Sequence, residues 1–346
     1  MEAQKTMDKK QLYLSASRIK TYLGCSWKYW ASYKLKVPDI GNFGQKRGSV
    51  CHDVFELLLD KKYKSWYDHI IKNKTCVGHK NLEEVIGSLR KKYDVTEQFD
   101  DKNQDNGLLI DTMIYNGCVY DFFCEGWDLQ DPEEGFEFIN QDPYYALKGF
   151  IDKYARSKKK ALIRDYKSSK NISAPDHKLQ GLLYSLYLLK KKQLRSYVEF
   201  QFLRFPDNPI VRFEFDEDEL LGVEEWLEEI QLSLENFDEE DAYKHFAYSD
   251  GWPAKGEGFK GAALCGYGKF PGHSYADNHK DPDKRGKEYW VCAHKWPVDY
   301  YALIEGEEII QTSFEKKDLK KKKGQVIKKM NYSGCPKFNN SSNNGY

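Results

Sequence analysis

The stretch Tyr145-Ala-Leu-Lys-Gly-Phe-Ile-Asp-Lys-Tyr154, the polar link Ser157-Lys-Lys-Lys160 and the run Ala161-Leu-Ile-Arg-Asp-Tyr-Lys167 decide the fold. From Tyr144 onward the apolar period is two, so the pattern predicts two strands joined by a hairpin turn. Asp165 and Lys167 lie two apart on the second strand and therefore point to one face. Asp152 lies on the first strand, where cross-strand neighbours approach to about 5.5 Å. Two carboxylates that close repel unless a cation lies between them. Aimed at one solvent-accessible point, they suit hard Mg²⁺ or Mn²⁺. Taken alone, the hairpin reads more simply as a surface element whose Asp and Lys pair across strands.

The flanking sequence changes the balance. Downstream, beyond a loop containing Pro175, His177 to Lys192 reads as a helix, with Gln180 and Tyr184 one turn apart on a single face. Ser196 to Phe205 and Ile210 to Phe215 then read as a second hairpin around Pro206-Asp-Asn-Pro209, followed by an acidic helix over about 216–237. Upstream, Ser15 or Ser17 can cap a helix carrying Ile19, Tyr22, Leu23, Trp27 and Trp30. A second helix is expected from about Gln45 to Lys61. It is opened by Gly48-x-x-x-His52, with Glu56 one further turn along. Residues 61–140 read as mainly helical and irregular. The segment 246–290 is rich in Gly, aromatic and turn residues, Tyr300 to Ile310 reads as a last strand, and the tail is rich in Lys. Helices alternating with hairpins imply an α/β domain with a mixed β-sheet.

Composition bounds the function. The 346 residues are 40% hydrophobic and 15% aromatic, which excludes wholesale disorder. Net charge is zero, yet Glu214 to Asp241 holds 14 acidic residues and no Lys or Arg, leaving 54 basic against 40 acidic residues elsewhere. A basic body with one acidic helix is compatible with a polyanion such as nucleic acid, and equally with a solvated acidic face. The 45 lysines against nine arginines suggest an AT-rich genome. No aliphatic run exceeds three residues, as at Leu57-Leu58-Leu59, and Met1 to Lys10 is charged. The expectation is a cytoplasmic protein (host cytoplasm if viral) with reduced thiols and no membrane partner.

The ordered set Gly48 and His52, Gly149-Phe-Ile-Asp152, Asp165-Tyr-Lys167-Ser-Ser and Gln180-Gly-Leu-Leu-Tyr184 resembles the PD-(D/E)XK nuclease superfamily, in its RecB-like and Cas4-like exonuclease branch. Leu14-Ser-Ala-Ser-Arg-Ile-Lys-Thr-Tyr-Leu-Gly-Cys25 looks like that branch's first helix. The resemblance covers residues 12–205, with 61–140 unmatched. It implies a restriction-endonuclease-like core and a metal-dependent DNA nuclease. His52, Asp152, Asp165 and the Tyr166 carbonyl would bind Mg²⁺ or Mn²⁺. Lys167 would orient the attacking water, and Gln180 and Tyr184 would hold the strand or steady the lysine. Asp165 stands where Glu is more frequent. Glu56 reads either as an assistant to a metal or water, or as a surface salt-bridge partner.

The same branch includes members that hold an iron–sulfur cluster through one N-terminal and three C-terminal cysteines. Cys25, Cys265, Cys292 and Cys335 supply four thiols, but the last three are spaced 27 and 43 apart rather than bunched. Three readings stay open: a cluster-free clasp, a zinc site drawing also on His273 and His294, and an intact 4Fe-4S cluster. Cys51, Cys76, Cys118 and Cys124 read as core thiols. Gly256-Glu-Gly-Phe-Lys-Gly261 matches a dinucleotide fingerprint without the required strand and helix, and reads as a loop. No Gly-x4-Gly-Lys-Ser/Thr loop occurs, so any motor would be a separate helicase or recombination protein.

The expected organisation is N-terminal nuclease helices over 1–60, a helical insertion over 61–143, the nuclease core over 144–245, a Cys-containing irregular clasp over 246–310 and a Lys-rich tail over 311–346. The expected activity is DNA exonuclease action in recombination, repair or phage DNA processing. Its alternatives are a structure-specific (flap-type) endonuclease and a non-catalytic nucleic-acid-binding subunit that keeps the fold.

Overall fold

Apolar residues at helical spacing build the first half of the chain, whose computed structural model describes residues 11–39, 43–100, 103–130, 134–246, 292, 294 and 296–336. The expected first helix is two: α1 (Ala16–Gly24) stops at Cys25, whose extended backbone and sulfur cap the start of α2 (Ser26–Tyr29), which runs on as a π turn over Trp30–Lys34. A side chain that accepts from the Lys28 N–H competes with continued helix. Next come α3 (Phe43–Leu59), α4 (Lys64–Asn73), α5 (Lys80–Lys92) and α6 (Asn106–Cys118). Val50, Val54, Phe55 and Leu58 of α3 pack on Ile70, Ile110, Met113 and Ile114 in one core. Cys51, Cys76 and Cys118 lie in that core, and Cys124 packs beside Ala155 and Leu162. Burial raises all four thiols, Cys118 to about 12, which keeps them protonated and inert.

The period-two segments form β1 (Asp128–Leu129), β2 (Glu134–Gln141), β3 (Tyr144–Ile151), β4 (Lys153–Ser157), β5 (Lys160–Lys167), β6 (Arg195–Phe202) and β7 (Ile210–Glu214). Five of them make a mixed sheet in the order β1-β4-β5-β6-β7, with β5 and β6 parallel and the other pairs antiparallel. A parallel pair needs a crossover, supplied by α7 (Ala174–Lys192). Pro175 lies within the first turn of α7 rather than in a loop, a position where its missing N–H has no helical partner to lose. β2 pairs with β3, so 134–141 is strand where helix or irregular chain was expected. Phe136 and Phe138 are buried on one side of it, an alternation already present in the sequence.

The acidic segment is broken into α8 (Glu217–Leu221), α9 (Glu224–Glu235) and α10 (Glu239–Ala242), with capping boxes at Asp216/Glu219 and Asp238/Asp241. Part of its charge is structural rather than solvated. Glu224 is buried, accepting from the Tyr145 hydroxyl at 2.6 Å and pairing with Lys190 at 2.9 Å. Glu228 and Gln231 accept the N–H groups of Tyr144 and Ala146 on β3.

The chain divides into two compact units, one from the described residues of Met1–Ala16 and Gly41–Glu235, the other from those of Ser17–Ile40 and Asn236–Tyr346. In the second, the expected last strand is a hairpin of β8 (Val298–Glu305) and β9 (Glu308–Ser313). The Lys-rich stretch read as tail supplies β10 (Gln325–Tyr332), paired with β8 along its whole length. Alternation puts Lys329 beside Asp299 at 2.7 Å while Tyr332 turns inward, so only long-range pairing reveals this strand. The fingerprint-like Gly256–Gly261 lies outside the described residues.

Candidate active site

Strand alternation sorts β5 into two faces. Tyr166 turns into the core shared by α3 and α6, whereas Asp165 and Lys167 turn toward α7. There Gln180 meets both: its Oε1 accepts from Lys167 Nζ at 2.9 Å, and its Nε2 donates to Asp165 Oδ1 at 2.8 Å and to the Tyr184 hydroxyl at 2.7 Å. Tyr184 donates in turn to the Phe150 carbonyl, and the Lys167 ammonium pairs with Asp165 Oδ2. One glutamine therefore fixes the acid and the lysine together.

Asp152 stands at the break between β3 and β4, not inside the ladder. Pairing of β4 with β5 ends at Lys153 opposite Arg164. One step beyond, Asp152 Oδ2 accepts the Tyr166 N–H at 2.8 Å in place of a backbone carbonyl. Its Oδ1 lies 3.1 Å from Nδ1 of His52 on α3, and His52 Nε2 lies 3.2 Å from the Tyr166 carbonyl oxygen. The four predicted donors, His52, Asp152, Asp165 and the Tyr166 carbonyl, are thus brought together with Lys167, Gln180 and Tyr184. Glu56 is exposed on α3 and makes none of these contacts.

Two glycines make the approach possible. A Cβ on Gly48 would stand 2.7 Å from Ser168 Oγ, whose hydroxyl donates to the Gly44 carbonyl at 3.1 Å. Glycine here lets α3 close on the end of β5 and bring His52 to Tyr166. A Cβ on Gly149 would stand 2.8 Å from Phe136 and 3.0 Å from the Tyr184 ring. Sequence reasoning gave no role to Ser168 or to the Phe150 carbonyl; both lie inside the matched motifs, but only packing shows what they touch.

Side-chain exposure falls from 26% at His52 through 18% at Lys167 and 14% at Asp152 to 3% at Asp165, so the site opens to water from the His52 and Lys167 side. Burial, and then the Asp152 charge, push the Asp165 carboxyl up to about 6. Burial alone would lower His52, but the Asp152 charge and hydrogen bond, with help from Asp165, raise it to about 9. A protonated imidazole can donate from both nitrogens, matching its two acceptors. The pocket thus gathers more negative charge than it tolerates and neutralises it with the His52 proton and the Lys167 ammonium.

That donor chemistry fits a hard divalent cation: two carboxylates and a carbonyl, joined by one imidazole. No three His, Cys, Asp or Glu side chains stand in ready ligand geometry among the described residues. Binding a cation would require His52 to give up its proton and the carboxylates to exchange their present partners.

In the other unit, the Trp27 indole donates to the Tyr332 hydroxyl at 2.6 Å, which donates to the His294 carbonyl at 2.7 Å. Burial raises the Tyr332 hydroxyl, and Cys335, Cys292 and Cys25 are all near enough to add to the effect. Three of the four singled-out thiols therefore share a neighbourhood, unbridged by disulfides, but not a ready ligand geometry. Cys265 and His273 lie outside the described residues. His294 is buried with Nε2 2.8 Å from Ser32 Oγ.

The profile of the PD-(D/E)XK nuclease superfamily matches residues 13–250, and the chain belongs to that superfamily. No curated protein matches it. Among solved structures, it is similar to a crystal structure described as "Putative exonuclease" from Eubacterium rectale, at 14% identity and a TM-score of 0.43, over 65% of this chain and 81% of that one. No helix among the described residues is long and apolar enough to cross a membrane.

Proposed function

We propose that the protein is a DNA exonuclease of the RecB-like, Cas4-like branch, dependent on Mg²⁺ or Mn²⁺, acting in recombination, repair or phage DNA processing. The observation that carries this reading is the joint hold of Gln180 on Asp165 and Lys167 at 2.8 and 2.9 Å, beside Asp152 and His52. Asp152, Asp165, the Tyr166 carbonyl and His52 would hold the cation, which when bound supplies Lewis acidity and acidifies a water. Lys167, kept at a fixed angle by Gln180, orients the attacking water and offsets negative charge growing on the phosphate oxygens. Gln180 passes that order to Tyr184 and the end of β3, so the two carboxylates keep their spacing while the phosphate is engaged. The absence of a phosphate loop in the sequence supports a separate motor protein as partner for any unwinding.

The test is incubation of the full chain with end-labelled linear duplex, linear single strands and covalently closed circles, each with Mg²⁺, Mn²⁺ or EDTA. Loss of linear DNA only, abolished by EDTA, is the expected result. Cutting of closed circles would exclude the exonuclease reading, and cutting in EDTA would exclude metal dependence. Iron and zinc analysis of the same preparation tests whether Cys25, Cys292 and Cys335, with Cys265, hold a cluster or a zinc ion.

A further inference from the structure

The face of the central sheet opposite Asp165 carries a cavity of about 430 Å³, lined among others by Trp127, Leu162, Arg164, Tyr197, Glu199 and Arg212. The alternation that sends Asp165 toward α7 sends Arg164 here, with Tyr197, Glu199 and Arg212 on the neighbouring strands by register. None of these side chains takes part in the site described above.

The cavity's floor is fixed. Glu199 Oε2 accepts from Arg164 Nε and Nη2 at 2.9 and 2.7 Å, and Oε1 accepts from Arg212 Nε at 3.0 Å and from its Nη2. Arg164 Nη1 is spent on the Tyr120 and Asp121 carbonyls. Arg164 and Glu199 are thus saturated and act as supports. Arg212 differs: its side chain is 62% exposed, and it reaches Glu199 through Nε and Nη2 only. Nη1 is left for a ligand at the mouth.

The walls are aromatic. Trp127 and Tyr197, both half-buried, stand edge to face with centroids 6.4 Å apart. Lys160 donates to the Tyr197 hydroxyl at 2.9 Å, with its ammonium 5.2 Å from the ring centroid. Arg195 pairs with Lys160 in the parallel register, and both are exposed. Among the lining residues Arg164 and Arg212 balance Asp121 and Glu199, and Lys160, bonded to the Tyr197 hydroxyl, adds one positive charge. A cavity of this size accepts a single ring system with its substituents. Flat aromatic walls with cations at the rim select a planar π-system that carries an anion.

We propose that this cavity binds one nucleotide unit, with the base against Trp127 and Tyr197 and the phosphate on Arg212 and Lys160. The unit belongs either to a free mononucleotide or to a single strand passing behind the sheet. Lying on the opposite face, the site needs no cleavage chemistry and stands apart from the nuclease reading.

The test is isothermal titration calorimetry of the full-length protein in EDTA, with deoxyadenosine monophosphate and with a six-residue deoxyadenylate single strand. Saturable binding at one site per chain is expected, weakened at least tenfold by Trp127→Leu and by Lys160→Glu, and retained in Lys167→Ala. An oligonucleotide that binds at least tenfold tighter than the monophosphate identifies a strand as the source. Equal affinities identify a free mononucleotide. Thermal melting confirms that each variant is folded, and the exposed Lys160→Glu serves if Trp127→Leu is not. Absence of saturable binding by both probes, or binding unchanged in a folded Trp127→Leu or Lys160→Glu protein, overturns the proposal.

Discussion

Neighbouring residues of one strand, Arg164 and Asp165, show two different uses of a buried charge. On Arg164's side, Glu199 is held between two guanidinium groups, with both carboxylate oxygens occupied. On Asp165's side, burial and then the neighbouring Asp152 charge push the acid up to about 6. Arg164 and Glu199 saturate each other and serve the fold, leaving only Arg212 exposed at the edge of the cluster. The Asp165 pocket has one carboxylate too many for its lysine, which is the imbalance a divalent cation relieves. A strained acid in a water-accessible pocket marks chemistry; a saturated one marks architecture.

Substitutions on either face separate the two uses of a buried charge. Asp165→Asn is expected to lower the cleavage rate at least about 10³-fold, about 4 kcal/mol on the barrier, measured at saturating Mg²⁺. Glu199→Gln leaves the buried Arg164 guanidinium against a neutral amide, with Arg212 exposed beside it, and is expected to cost about 3 kcal/mol of stability in urea unfolding. His52→Gln keeps a polar group beside Asp152 but removes the imidazole, and an approximately 30-fold weaker Mg²⁺ activation is expected from a metal titration of activity.

The folded pKa of Asp165 lies above its unfolded value, so the unfolded chain releases that proton first. Its burden is absent below about pH 4, grows between about pH 4 and 6, and is complete above that. Asp165→Asn is therefore expected to be more stable than wild type by about 1–2 kcal/mol at pH 7. The gain should vanish at pH 4, as read by thermal melting in EDTA. Stability that falls in Asp165→Asn at neutral pH would place Asp165 with Glu199 among the structural acids.

Much of the candidate active face was legible because its geometry is local. His52 lies one turn from Gly48, Tyr184 one turn from Gln180, and Lys167 one alternation from Asp165; each spacing puts two groups on one face without reference to the rest of the chain. The parallel pairing of β5 and β6 follows from the intervening helix. What escaped depends on distant partners. The break at Asp152 exists because its carboxylate takes the Tyr166 N–H. The cap at Cys25 ends a helix that periodicity alone would continue. β10 is a strand only because β8 lies beside it. The Arg164–Glu199–Arg212 cluster spans three strands, and no motif links its members along the chain. β2 is the exception: Phe136 and Phe138 already carried the alternation, and a helical reading of 61–140 passed over it.

In the proposed mechanism Lys167, set by Gln180, completes a catalytic pocket with Asp165 and Asp152. Its most direct test is single-turnover cleavage of linear duplex DNA at saturating Mg²⁺, comparing wild type with Lys167→Ala at matched folded fraction. A fall of about 10²–10³-fold is predicted. A Lys167→Ala protein that cuts at the wild-type rate would contradict it.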